Sequence, residues 1–258
     1  MQVRLKREGW PRLEGLEKAF DTGDSWSLFR DGSRSLLCLA PAGRPHPLWV
    51  AAFAPGAGNV DLFCPLPEDG GAAIDLPFVY PLDQLLLMHY FAGRRGVLVH
   101  GAGLKLGKRI YLFAGASGAG KSTFSELLAR AGLGTVLSDE RMIVRSLIGG
   151  LLAFGTPWAG TAGIARPGSA PLAGIFFLRH GLRNEILEIS AGDAADRLLA
   201  MASIPWYDPE SAAPIVAFIK KICAAVPCRE FRFTPDRSAV EFLRRGLSKG
   251  DDSKGDGA

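Results

Sequence analysis

The residues with the clearest chemical potential lie in one run, Tyr111–Thr123, YLFAGASGAGKST. Gly115, Gly120, Lys121 and Ser122 match the spacing G-x-x-x-x-G-K-[ST], and the run opens as an apolar strand. Gly115, Ala116, Ser117, Gly118, Ala119, Gly120, Lys121, Ser122 and Thr123 therefore form the expected nucleotide-binding set. Backbone N–H groups around Gly118–Lys121 would wrap a polyphosphate, Lys121 would reach its outer phosphates, and Ser122 would hold Mg²⁺. The helix-forming run FSELLARA follows at once, pointing its positive end at the anion.

Two carboxylates, Asp139 and Glu140, lie about one helix and one strand further on. P-loop proteins place there the carboxylate that orders Mg²⁺, so Ser122, Asp139 and Glu140 are the expected metal ligands. Phosphoryl transfer also benefits from a base for the attacking hydroxyl, and two adjacent carboxylates could divide those tasks. A solvated acidic turn with Arg141 as local partner is the alternative. His100 closes the strand VLVH and is a candidate to face the γ-phosphate, because its strand is expected beside the P-loop strand. His46, His89 and His180 have no such context. Gly155-Thr156-Pro157-Trp158 and the following AGTAGIARPGSA read as a lid, a substrate platform or plain packing turns. Arg166 is the one charge there, either reaching a phosphate or lying on the surface.

These side chains need a sheet edge to present them. The first eighty or so residues read as β-rich: Trp26–Arg30 and Ser35–Leu39 form a hairpin around Asp31-Gly32-Ser33, with strands at Leu48–Phe53 and Val60–Phe63. Pro65–Pro77 reads as a loop. A helix opens at Tyr80-Pro81-Leu82-Asp83 and closes near Gly93. Val97–His100 and Arg109–Ala114 are strands, followed by a helix to about Ala131 and a short strand Thr135–Leu137. That strand delivers the acidic pair to its C-terminal edge, where ligands sit in open α/β sheets. Gly174–Arg179 and Glu185–Ile189 are expected to pair. Helices are expected at Ala194–Ala202, Ala212–Ala225 and Ser238–Arg245, with a strand Glu230–Phe233. The polar tail SKGDDSKGDGA is expected to be disordered. The division is residues 1–79, 80–246 and a tail from 247 to 258.

Composition bounds the rest. The chain has 258 residues, enough for one large domain or two smaller ones, with 48% hydrophobic and 22% charged residues. The net charge of +4 comes from dispersed basic residues, which argues against a dedicated nucleic-acid binder. Cys38, Cys64, Cys223 and Cys228 form no C-x-x-C pair and read as reduced, buried thiols. The start MQVRLKREGW has no apolar h-region and the apolar runs are too short to span a bilayer, so the expected compartment is cytoplasmic, with no membrane partner. Absence of N-K-x-D, LSGGQ-like, H-R-D and D-F-G elements argues against regulatory GTPases, transporter ATPases and protein kinases.

The ordered set Val99-His100-Gly101, AGASGAGKST at Ala114–Thr123, and LSDE at Leu137–Glu140 resembles the catalytic domain of HPr kinase/phosphorylase. It is more similar still to shorter bacterial HPr-kinase-like proteins, in which Y-P-L-D-Q-like, H-G-A-G and P-W elements recur; the match runs from about Tyr80 to Phe242. The resemblance implies a P-loop domain of the phosphoenolpyruvate carboxykinase-like type, here with a β-rich N-terminal region. It implies an ATP- and Mg²⁺-dependent kinase acting on a serine-type hydroxyl of a protein, peptide or small molecule, and it leans towards a homo-oligomer. Mapped by position, Asp139 takes the family's general-base place, Glu140 replaces its second aspartate, His100 is the active-site histidine, and Ser122 is the Mg²⁺ ligand. The residues themselves equally let Asp139 hold the metal. Residues 1–79 do not resemble the family's regulatory domain, and its glycine-rich signature after the acidic pair has no clear counterpart. The alternative, from another class, is a nucleotide-binding module that recruits a partner with little catalysis.

Overall fold

The computed structural model describes residues 1–41, 43, 46–64 and 80–251. The expected loop at Pro65–Pro77 lies outside them, as does the tail beyond 251. The protein is mixed α/β and divides into two units, residues 1–95 with 204–215, and residues 96–203 with 216–258. The sequence cut at 79/80 therefore differs from the contact division at 95/96, which keeps the first helix with the first unit.

The first unit holds β1 (Gln2–Lys6), β2 (Glu17–Asp21), β3 (Trp26–Asp31), β4 (Arg34–Leu39), β5 (Trp49–Phe53), β6 (Asn59–Phe63) and α1 (Leu82–Ala92). The strands form one sheet in the order β1-β6-β5-β4-β3-β2, antiparallel except where β1 runs parallel to β6. The expected hairpin is present: Asp31 pairs with Arg34 across a two-residue loop whose Gly32 has φ 57°. β5 is buried along its whole length, because both faces of the sheet are covered. Leu82, Leu85 and Leu86 of α1 pack on Leu28, Leu37, Ala51 and Leu62. On the other face Leu36, Val50 and Ala52 meet Trp10, Leu13 and Leu16.

The second unit holds β7 (Gly96–Leu106), β8 (Arg109–Ala114), α2 (Lys121–Arg130), β9 (Thr135–Ser138), β10 (Arg141–Leu147), β11 (Gly150–Gly155), β12 (Ser169–His180), β13 (Glu185–Glu188), α3 (Ala191–Leu199) and β14 (Ala202–Ser203). α4 (Pro209–Ala225) follows, its first residues to Ile215 belonging to the first unit, then β15 (Cys228–Phe233) and α5 (Arg237–Asp251). Nine strands form its sheet, with the path β11-β10-β7-β8-β12-β15-β13 and with β9 and β14 on β7. β8, β12 and β15 run parallel, which sends their C-terminal ends to one edge. Long β7 serves two neighbourhoods: its first half pairs with β10 and β14, its second with β8 and β9.

Phe124, the fourth residue of α2, is fully buried among Phe113 of β8 and Phe231 and Phe233 of β15, at centroid distances of 5.2, 5.5 and 5.1 Å. This aromatic cluster clamps the start of α2 to the sheet, and Leu128, Val240 and Leu243 of α2 and α5 extend the core.

Several expectations change. β12 and β13 do not pair with each other; β15 lies between them, parallel to one and antiparallel to the other. α3 starts at Ala191, not Ala194, because the Ser190 hydroxyl accepts the Asp193 N–H at 3.1 Å and caps it there, and Ala202 is a strand residue. α5 continues to Asp251, beyond the expected end at Arg245. The four cysteines are free and buried. Among the described residues no helix is long and apolar enough to cross a membrane.

Candidate functional site

β8 ends at Ala114 and α2 begins at Lys121, so the glycine-rich run is the turn between a central strand and a helix. Gly118 and Gly120 have φ of 78° and 87°, a left-handed backbone that other residues adopt at a cost. Gly120 is also fixed by space: a Cβ there would lie 2.8 Å from Phe233 Cζ and 2.9 Å from His180 Cε1. It is the N-cap of α2, and no side chain caps that helix, in contrast to Ser190 on α3. The first amides of α2 are thus left to a ligand or solvent. Lys121 is buried, and its ammonium donates to the carbonyls of Gly115 and Ala116 at 2.7 and 3.0 Å. Burial lowers its pKa, and the nearby Glu140 carboxylate opposes that shift. Ser122 Oγ lies 3.3 Å from Thr161 Oγ1.

Each residue of Leu137–Glu140 has its own task. Leu137 packs under Gly155 and Gly168. Ser138, fully buried, accepts the N–H groups of Glu140 and Arg141 at 3.1 Å each and closes the turn into β10. The Asp139 side chain turns inward and is 0% exposed; its Oδ1 accepts from Gly160 N at 2.9 Å and Ile164 N at 3.1 Å, and Oδ2 accepts from Ala162 N at 2.7 Å. The segment read as a lid, a substrate platform or packing turns is a pinned strap, held further by Arg166 N on Leu137 O at 2.7 Å. Gly160 must be glycine here, since a Cβ would lie 2.7 Å from Asp139 Oδ2 and 3.1 Å from Glu140 Oε2.

Glu140 is the outward carboxylate of the pair, with 31% of its side chain exposed. Its Oε2 lies 3.5 Å from His100 Nε2, and its Oε1 lies 3.8 Å from an Arg141 guanidinium nitrogen. His100 is brought there because it pairs with Arg141 across β7 and β10 while the Gly101 N–H donates to Glu140 O at 3.0 Å. A Cβ on Gly101 would lie 2.9 Å from the Phe113 carbonyl, so the glycine after the histidine lets β7 and β8 approach. Burial first, then the Lys121 charge, lowers the His100 pKa; Glu140 pulls the other way. The imidazole is therefore held towards its neutral form, a state able to accept a proton.

Lys121, Ser122, Glu140 and His100 thus gather around one end of the loop, while Asp139 faces the strap. Arg166 is exposed. His180, set aside in the sequence, stands beside Gly120 because the parallel pairing of β12 with β8 carries its end there. No local signal could reveal that. Among the described residues no group of three or more His, Cys, Asp or Glu could hold a metal alone. The donor set fits Mg²⁺ only as one or two protein oxygens, Ser122 and Glu140, completed by phosphate oxygens.

No family model matches the sequence, and no curated protein does. Among solved structures, the Hpr(Ser) kinase/phosphatase from Coxiella burnetii aligns over 60% of this chain and 95% of its own, at 14% identity and a TM-score of 0.32. A likeness this low assigns neither fold nor activity. The functional reading rests on the site.

Proposed function

We propose that this chain is an ATP- and Mg²⁺-dependent kinase that transfers the terminal phosphoryl group to a hydroxyl of a protein, peptide or small molecule. The observation that carries the reading is the convergence of His100 and Glu140, 3.5 Å apart, on the Lys121 end of an uncapped P-loop helix. The loop amides and Lys121 hold the phosphates, which requires the ammonium to leave the carbonyls of Gly115 and Ala116. Ser122 and Glu140 would hold Mg²⁺, which would supply charge neutralisation at the phosphates. His100, kept neutral with Nε2–H turned to Glu140, takes the proton of the acceptor hydroxyl on its other ring nitrogen, and Glu140 stabilises the resulting imidazolium. Asp139 acts by positioning: its carboxylate holds Gly160–Ile164 against the turn, so neither base nor metal role falls to it. The test is transfer of label from γ-labelled ATP with Mg²⁺ to a pool of peptides and metabolites, read by mass spectrometry. Labelled product that requires His100 supports the reading, and tight ATP binding without any transfer would contradict it.

The inward turn of Asp139, the residue that the family resemblance makes the base, favours a second reading: a nucleotide-binding module that recruits a partner. That reading predicts ATP affinity unchanged by His100→Ala and no phosphorylated product.

A further inference from the structure

Of the three parallel strands, β12 and β15 end level at His180 and Phe233, while β8 ends at Ala114, opposite Phe177, where the glycine-rich loop begins. Both carboxylates and His100 lie on one flank of β8, on β7 and the turn after β9. On the opposite flank, a cavity of about 540 Å³ opens at the end of β12, lined by Arg179, His180, Leu182, Arg183, Glu185 and Arg232. That volume falls within the range of about 300–1,000 Å³ seen for small-molecule sites. His180 joins this cavity to the loop, since its ring abuts Gly120.

The cavity's chemistry is mixed in a particular way. Arg183 and Arg232 are paired to Glu185 at 3.2 and 3.0 Å, and Arg232 also to Glu230 at 2.6 Å. Arg179 forms no ion pair among the described residues, unlike Arg183 and Arg232. Leu182 is an apolar side chain with its entire surface exposed, at 104%. An unpaired planar guanidinium, an exposed imidazole edge and a bare leucine beside it form a surface suited to a flat heterocycle rather than to a second phosphate.

We infer that this cavity at the end of β12 holds the nucleoside, base and ribose, of the nucleotide whose phosphates lie in Gly115–Thr123. The inference rests on the proposed nucleotide-binding function and adds a direction to it. A triphosphate whose terminal phosphate faces Glu140 and His100 must run away from β7, and the end of β12 is the next strand end along that line.

The test compares Mg²⁺–ATP with Mg²⁺–tripolyphosphate, which lacks the nucleoside, by calorimetry on the full chain. Arg179→Ala and Leu182→Ser are surface changes that leave the P-loop intact. Each is expected to weaken ATP binding about tenfold, the scale of a lost base contact, while tripolyphosphate affinity stays unchanged. Unaltered ATP affinity in both variants, or an equal loss for both ligands, overturns the nucleoside site and leaves the kinase reading standing. Failure of the unsubstituted protein to bind either ligand overturns both.

Discussion

The Asp139 carboxylate accepts the Ala162 N–H at 2.7 Å while sealed from solvent, and the same group takes two more amides from Gly160 and Ile164. Removing it leaves three donors without an acceptor. Asp139→Ala is therefore expected to cost about 3 kcal/mol of stability, lowering Tm by roughly 10 °C. Thermal unfolding checks this, and an unchanged Tm would mean the strap does not depend on the carboxylate.

Its neighbour behaves in the opposite way. Glu140 is partly exposed, lies 3.5 Å from His100 and, although close to Gly160, takes none of the strap amides that Asp139 holds, so Glu140→Gln should leave Tm nearly unchanged. Turnover should fall by about 10²–10⁴-fold, the scale of a lost acid–base contribution. A loss of stability matching that of Asp139→Ala would reverse the two assignments.

The protonation of His100 should report its neighbours. Burial and Lys121 lower its pKa, and Glu140 raises it. Lys121→Met should therefore shift the imidazole titration upward and Glu140→Gln should shift it further down, as followed by nuclear magnetic resonance. Because the neutral ring is the base, activity should persist below pH 6.5, the ordinary histidine value, and fail only as the lowered pKa is passed.

In the first unit, His89 of α1 is buried between Ser211 at 3.1 Å and Tyr207 at 3.2 Å. Desolvation outweighs the Asp208 carboxylate and lowers its pKa to about 4. The unfolded chain then binds a proton that the folded chain refuses between pH 6.5 and about 4. Stability is full above that window and falls within it, by at most about 1.4 kcal/mol per pH unit. His89→Gln, which cannot titrate, should flatten the acid limb of a Tm-versus-pH curve.

Phe124 ties the P-loop helix to the sheet through three aromatic partners. Phe124→Ala should cost about 3–5 kcal/mol and should also weaken nucleotide binding, since Lys121 and Ser122 lose their anchor. Chemical denaturation and nucleotide titration on the same preparation would show both losses or neither.

What was readable in the sequence was local. The loop between β8 and α2 is announced by glycines that its backbone requires, and the β3–β4 hairpin by its two-residue turn. The β10–β11 hairpin has a local cue too, the pair Gly149-Gly150 at its turn, both at positive φ. Non-local pairing was beyond reach: nothing near β12 says that β15 will separate it from β13, or that His180 will meet Gly120. The acidic pair shows the same boundary at the site. Both carboxylates come close to Gly160, and only the strap amides, about twenty residues later, decide that Asp139 is sealed in while Glu140 stays partly exposed.

Calorimetric titration of Mg²⁺–ATP into the full chain and its Lys121→Ala variant tests the central claim most directly. Binding by the unsubstituted protein, weakened at least tenfold in the variant, is the expected result. Equal affinity in the two, or no binding to either, would contradict a phosphate seat at Gly115–Thr123.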